Sequence, residues 1–92
     1  MTNQEHSAMW AEWVRRNREA RNWSKRTLAA KVGVDPSYVT LWENDGYVPM
    51  RKKVQHVADA FGLPRAEAEI IAGLIPETMH IVRLLKEVRR EK

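Results

Sequence analysis

The stretch from Ser24 to Glu43 narrows the folds open to this chain more than any other. It reads Ser-Lys-Arg-Thr-Leu-Ala-Ala-Lys-Val-Gly-Val-Asp-Pro-Ser-Tyr-Val-Thr-Leu-Trp-Glu. Ser24 is a good helix N-cap, because its hydroxyl can accept one of the orphan N–H groups of the first turn. Leu28, Ala29 and Val32 then supply a buried stripe at helical spacing. Gly33 can take the left-handed conformation that ends a helix without a Cβ clash. Asp35 caps a second helix, and Pro36 sits at its first position, where a missing N–H costs nothing. Val39 and Trp42 face inward at i and i+3.

Stop, short turn and restart are the pattern of a helix-turn-helix. The outer face of the second helix collects Ser37, Thr40, Leu41 and Asn44, with Tyr38 beside them. Solvated helix faces are usually rich in Lys and Glu, and this one has neither. A short, uncharged, shape-specific face suits a DNA major groove. It also fits an ordinary polar surface.

Charge separates these two readings. The chain has 92 residues and a net charge of +4. Residues 15–53 carry ten Lys or Arg against four Asp or Glu, which is +6. Residues 1–14 contribute −2, and residues 54–92 balance six against six. The excess therefore surrounds the helix-turn-helix, as expected for a polyanion partner. Lys25 and Arg26 open the first helix, where the macrodipole is already positive. Cations with free N–H groups at a helix start form an anion site, here read as a phosphate contact.

The flanking chain reads as helical throughout, with no strand-like alternation. Residues 1–7 are polar and expected to fray. A helix is expected from Ala8 to Arg21, with Met9, Trp10, Trp13, Val14 and Asn17 inside. Asn22-Trp23 closes it. After Glu43 comes the turn-rich loop Asn44-Asp45-Gly46-Tyr47-Val48-Pro49. Tyr47 there either bonds a phosphate or packs under the loop. Arg51, Lys52 and Lys53 open a helix to Phe61 with Val54, Val57, Ala58 and Phe61 inward, and suggest a second phosphate clamp. A short helix after Leu63-Pro64 is expected to bury Ile70, Ile71 and Leu74. A last amphipathic helix, Pro76 to Arg90, carries Met79, Val82 and Leu85, with Ile81, Leu84 and Val88 widening the stripe. It either closes the core or forms a homodimer seam.

Several function classes are disfavoured. There is no cysteine, so no disulfide framework and no Cys-based metal site. His6, His56 and His80 are too scattered to suggest a metal site. No phosphate loop or nucleophile motif is present, so neither an enzyme nor a cofactor is expected. No apolar run approaches the ~20 residues of a membrane span, and no signal-peptide core is visible; a cytoplasmic location is expected.

Residues Val14 to Leu63 resemble the helix-turn-helix domain of the phage lambda and 434 repressor and Cro family, the XRE family. Val14-Arg15 with Arg18 looks like its helix-one ending. Trp23-Ser24 stands at its Leu-Ser, and Leu28-Ala29 with Val32-Gly33-Val34 at its Leu-Ala and Leu-Gly-Val. Val39, Trp42 and Glu43 match its third helix. Pro49 and Val57-Ala58-Asp59-Ala60-Phe61-Gly62-Leu63 match its fourth. The resemblance implies an all-α, compact five- to six-helix lambda-repressor-like domain over residues 8–63, with an added amphipathic helix in an extension over 64–92. It implies a sequence-specific regulator binding double-stranded DNA, expected to be a phage or bacterial repressor, with its recognition helix over residues 36–44. Pro36, Ser37, Thr40 and Leu41 fall where the family reads bases, and Lys25, Asn44 and the start of helix four where it grips phosphate. Arg18 and Glu43 fall at its structural ion pair. The full expected interface is Pro36, Ser37, Tyr38, Thr40, Leu41 and Asn44 on bases, and Lys25, Arg26, Tyr47, Arg51 and Lys52 on phosphates.

Departures from the family shape the expectation. Lys25 and Thr27 replace a usual Gln and Glu, so the capping box is missing. Arg51 replaces an apolar residue, and Gly46 comes one place late. Pro36 and Leu41 cannot hydrogen-bond a base through their side chains, although Leu41 can touch a thymine methyl. DNA shape then carries part of the specificity. The competing function is a protein-interaction module, such as an antitoxin-like protein, docking through Trp10, Trp13 and the last helix.

Overall fold

A computed structural model describes residues 3–76, and within them five α-helices and no strand. These are α1 (Asn3–Ala20), α2 (Lys25–Val32), α3 (Pro36–Asp45), α4 (Arg51–Phe61) and α5 (Arg65–Ile71). The expected helix over 76–90, and the homodimer seam read on it, lie outside the described residues.

The helix ends follow local chemistry. Asn22 closes α1 at φ +57°, a left-handed conformation that Asn tolerates better than most residues. The Ser24 hydroxyl accepts the Thr27 N–H at 3.0 Å. The two hydroxyls also lie 3.0 Å apart, in place of the second half of a capping box. Gly33 ends α2 at φ +86°. Asp35 Oδ1 accepts the Ser37 N–H at 2.9 Å, and Pro36 begins α3. The α2–α3 turn is thereby bounded by a left-handed glycine on one side and a capping aspartate on the other.

The core forms where the helical stripes meet. Trp10, Val14, Leu28, Val39, Trp42, Val54 and Val57 are all fully buried. Trp10 links α1 to α3 by an edge-to-face contact with Trp42, ring centres 6.2 Å apart, and stacks on Trp13 at 5.6 Å. Trp13 and Trp23 close on Phe61 from two sides. Such aromatic pairs add direction to what is otherwise non-directional burial.

Two features depart from expectation. The first helix starts at Asn3 rather than Ala8, and its first turns have partners. A Cβ at Gly46 would come within 3.0 Å of Ser7, so the α3 C-terminus rests directly on α1. His6 Nδ1 lies 3.3 Å from the Ile71 carbonyl oxygen. In α5 the fully covered face is Ala68, Glu69 and Ala72, whereas Ile70, Ile71 and Leu74 are only half-buried. Alanines permit close approach to α4, and the larger side chains are displaced to the flank beside Met9. Asn17 is half-buried, its amide donating to the Trp13 carbonyl at 2.9 Å.

Candidate nucleic-acid interface

Helix α3 is two-faced. Val39 and Trp42 are fully buried, while Ser37, Tyr38, Leu41 and Asn44 are exposed and Pro36 and Thr40 half-buried. These are the six residues expected to read bases, and they form one outward surface.

An ion pair sets the pitch of that surface. Arg18 of α1 donates from Nε to Glu43 Oε2 at 2.7 Å and from Nη2 to Oε1 at 2.8 Å. Its Nη1 donates to the Trp23 carbonyl at 2.9 Å. The Glu43 side chain is 2% exposed and that of Arg18 14%. One guanidinium thus joins α1, the α1–α2 turn and α3 through a planar fork that a lysine could not reproduce. The hydrogen bond to Glu43 holds the Arg18 pKa above its ordinary value, and burial opposes it. Arg15 Nη2 adds a bond to the Glu43 carbonyl at 3.4 Å, near the negative end of the α3 dipole.

The cations gather on both sides of the exposed α3 face. Lys25 Nζ donates to the Thr40 hydroxyl at 3.5 Å, so the first residue of α2 reaches α3. Arg26 is exposed beside it. None of α2, α3 and α4 carries an acid in its first turn. On the other side, Tyr38, Trp42, Tyr47, Lys52 and Lys53 line one cleft of about 690 Å³. Tyr47 is 53% exposed, which favours the phosphate reading over packing beneath the loop. His56 also borders this cleft. The run of three cations in the sequence contained Lys53, but only the helix phase shows that it turns to the cleft.

Arg51, at the start of α4, has partners on α5 and just beyond it. Its Nη1 meets Glu69 at 2.6 Å and its Nη2 donates to the Leu74 carbonyl at 3.2 Å. The Glu69 side chain is only 5% exposed, and a buried carboxylate requires a cationic partner. Arg51 therefore ties α4 to α5, with its side chain still 51% exposed beside Lys52.

The Asp35 cap has a measurable pH signature. The Ser37 backbone N–H, and then its hydroxyl, hold the Asp35 carboxyl below its ordinary pKa. A lowered folded pKa contributes stability above the unfolded value of about 3.9, and that contribution disappears as pH falls through the folded pKa. Asp35→Ala is expected to lower the melting temperature at neutral pH, by an amount that shrinks as pH falls below about 3.9. Thermal melts across pH 2–7 check this, and an equal deficit at all pH values would contradict it.

Among the described residues no group of three or more His, Asp or Glu is placed to hold a metal ion, and no helix is long and apolar enough to cross a membrane.

A family model described as "Helix-turn-helix" matches residues 14–67, which contain α2, α3, α4, the end of α1 and the start of α5. Among solved structures, the chain is similar to the crystal structure of a hypothetical transcription factor, NHTF, from Neisseria. The two are 23% identical with a TM-score of 0.66, over 88% of this chain and 87% of that one. At that identity the likeness speaks for the fold. No curated protein matches.

Proposed function

This chain belongs to the XRE-type helix-turn-helix family, a family of DNA-binding transcriptional regulators, and from that premise we propose a sequence-specific operator binder. In this reading α3 lies in the major groove, with Pro36, Ser37, Tyr38, Thr40, Leu41 and Asn44 toward the base edges. Lys25 and Arg26 hold phosphates on one side of the groove. Lys52, Lys53 and Tyr47 hold them on the other. Phosphate contacts fix position and supply the salt-dependent affinity, while the groove face selects sequence. The role is transcriptional regulation in a bacterial or phage setting, by a repressor that occludes a promoter in the cytoplasm.

The observation that carries this reading is the arrangement of charge. An uncharged, exposed α3 face is flanked by cations at the starts of two other helices, as a groove between two phosphate strands requires. An interaction module of the same fold has no need of that arrangement.

Fluorescence anisotropy on duplex DNA at two salt concentrations tests it. Each neutralised phosphate contributes about 0.9 to the log–log salt slope. Four cations, Lys25, Arg26, Lys52 and Lys53, then lower affinity about 100-fold per protomer between about 50 and 200 mM salt. A flat salt response would remove the DNA reading and leave the interaction module.

A further inference from the structure

Among the described residues, the large apolar side chains that stand exposed are Tyr38, Leu41, Tyr47 and Met50. All four fall within thirteen consecutive positions that begin on α3 and end at the α4 cap. Leu41 is 39% exposed although its neighbour Trp42 is fully buried. Together with the Tyr38 ring, Leu41 gives the face an apolar patch to which an apolar counterpart can be fitted.

The same face is short of the groups that read other bases. Bidentate recognition of guanine takes Arg or Lys, and of adenine Asn or Gln. Helix α3, Pro-Ser-Tyr-Val-Thr-Leu-Trp-Glu-Asn-Asp, contains no Arg, Lys or Gln, and its one Asn stands in the last turn. The Thr40 hydroxyl already has Lys25 within 3.5 Å. Glu43 is occupied by Arg18. What the centre of the face offers a base pair is chiefly the Leu41 side chain, with the Tyr38 ring one turn before it.

We infer that α3 reads the 5-methyl group of a pyrimidine in the major groove, with Leu41 as the contacting residue and Tyr38 flanking it. This inference rests on the DNA-binding reading. A pyrimidine methyl is the apolar feature that the major groove presents, carried by thymine or by 5-methylcytosine. Cationic flanks on both sides of the patch favour a polyanion groove over an apolar protein partner.

The test begins with selection of a preferred site from a randomised duplex pool. Each thymine of that site is then replaced by deoxyuridine, which removes the methyl and leaves the pairing intact. At the sensitive position, T·A is also replaced by C·G and by 5-methyl-C·G. Removing a contacted methyl is expected to weaken binding about fourfold, the value of one buried methylene. Methylating the cytosine is expected to recover a similar factor. Tighter binding of the T·A duplex identifies thymine as the source, and tighter binding of the 5-methylcytosine duplex identifies the modified base. Leu41→Ala, a surface change, should abolish both methyl effects. Lys25→Ala should weaken every duplex equally and keep them. Equal binding of the thymine and deoxyuridine sites overturns the methyl inference while leaving the operator binder in place. No enrichment and no binding to any duplex at low salt overturns both.

Discussion

Glu43→Gln is expected to destabilise the protein by about 3–5 kcal/mol, the range for breaking one side of a buried ion pair. Glutamine keeps the shape of the side chain but loses the charge and one of the two acceptors in the fork. Arg18 then stays 14% exposed with its counter-charge gone. Its remaining bond to the Trp23 carbonyl cannot compensate for a desolvated cation. Against a typical domain stability of about 5–15 kcal/mol, the loss takes a large share. Urea unfolding followed by circular dichroism gives the number. Replacing both partners by apolar residues, Arg18→Met with Glu43→Leu, is expected to recover most of it, because no orphaned charge remains. A loss below about 1 kcal/mol for Glu43→Gln would class the pair with exposed ones. DNA binding offers a second readout. The pair connects α1 to α3, so the single variant should lose affinity even where it remains folded, through a loosened α3.

Trp42→Ala is expected to cost about 3–5 kcal/mol as well, by cavity formation. Trp42 is fully buried and meets Trp10 edge to face, so truncation removes the contact that sets the α1–α3 crossing. The comparison with its neighbour is instructive. Leu41→Ala, one residue earlier, should change stability by no more than about 0.5 kcal/mol, since the side chain is a surface one. Adjacent residues on α3 thus separate into one that holds the fold and one that stands on the surface. Thermal melts of the two variants side by side check this. Similar melting temperatures would mean that the two faces of α3 are not as the structure has them. The indole N–H groups of Trp10 and Trp42 are buried with no hydrogen-bond partner among the described residues, so packing, rather than a polar contact, supplies the stabilisation at stake.

The α2–α3 unit was legible in the sequence because its signals are local. An N-cap serine, a C-cap glycine and an Asp-Pro restart act within four residues, and the hydrophobic stripe of each helix follows from spacing alone. The outward set on α3 and the basic surroundings could be read the same way. Partners distant in sequence were a different matter. Arg18 and Glu43 came from resemblance to a family, since nothing local joins residues 25 positions apart.

Arg51 shows where local signals end. Its sequence context, a helix start beside two lysines, is that of a phosphate ligand. Its pairing was decided by Glu69, buried 18 positions later on α5 and in need of a cation. The buried face of α5 was decided likewise. Pattern alone favours the bulkier Ile70 and Ile71, but close approach to α4 admits only Ala68 and Ala72. The sequence by itself determined the helices, their caps and the two faces of the recognition helix, because backbone propensity and periodicity act within a turn or two. The tertiary structure decided which cations are tied to buried acids, Arg18 to Glu43 and Arg51 to Glu69. That choice depends on desolvation, and desolvation exists only once the helices have packed.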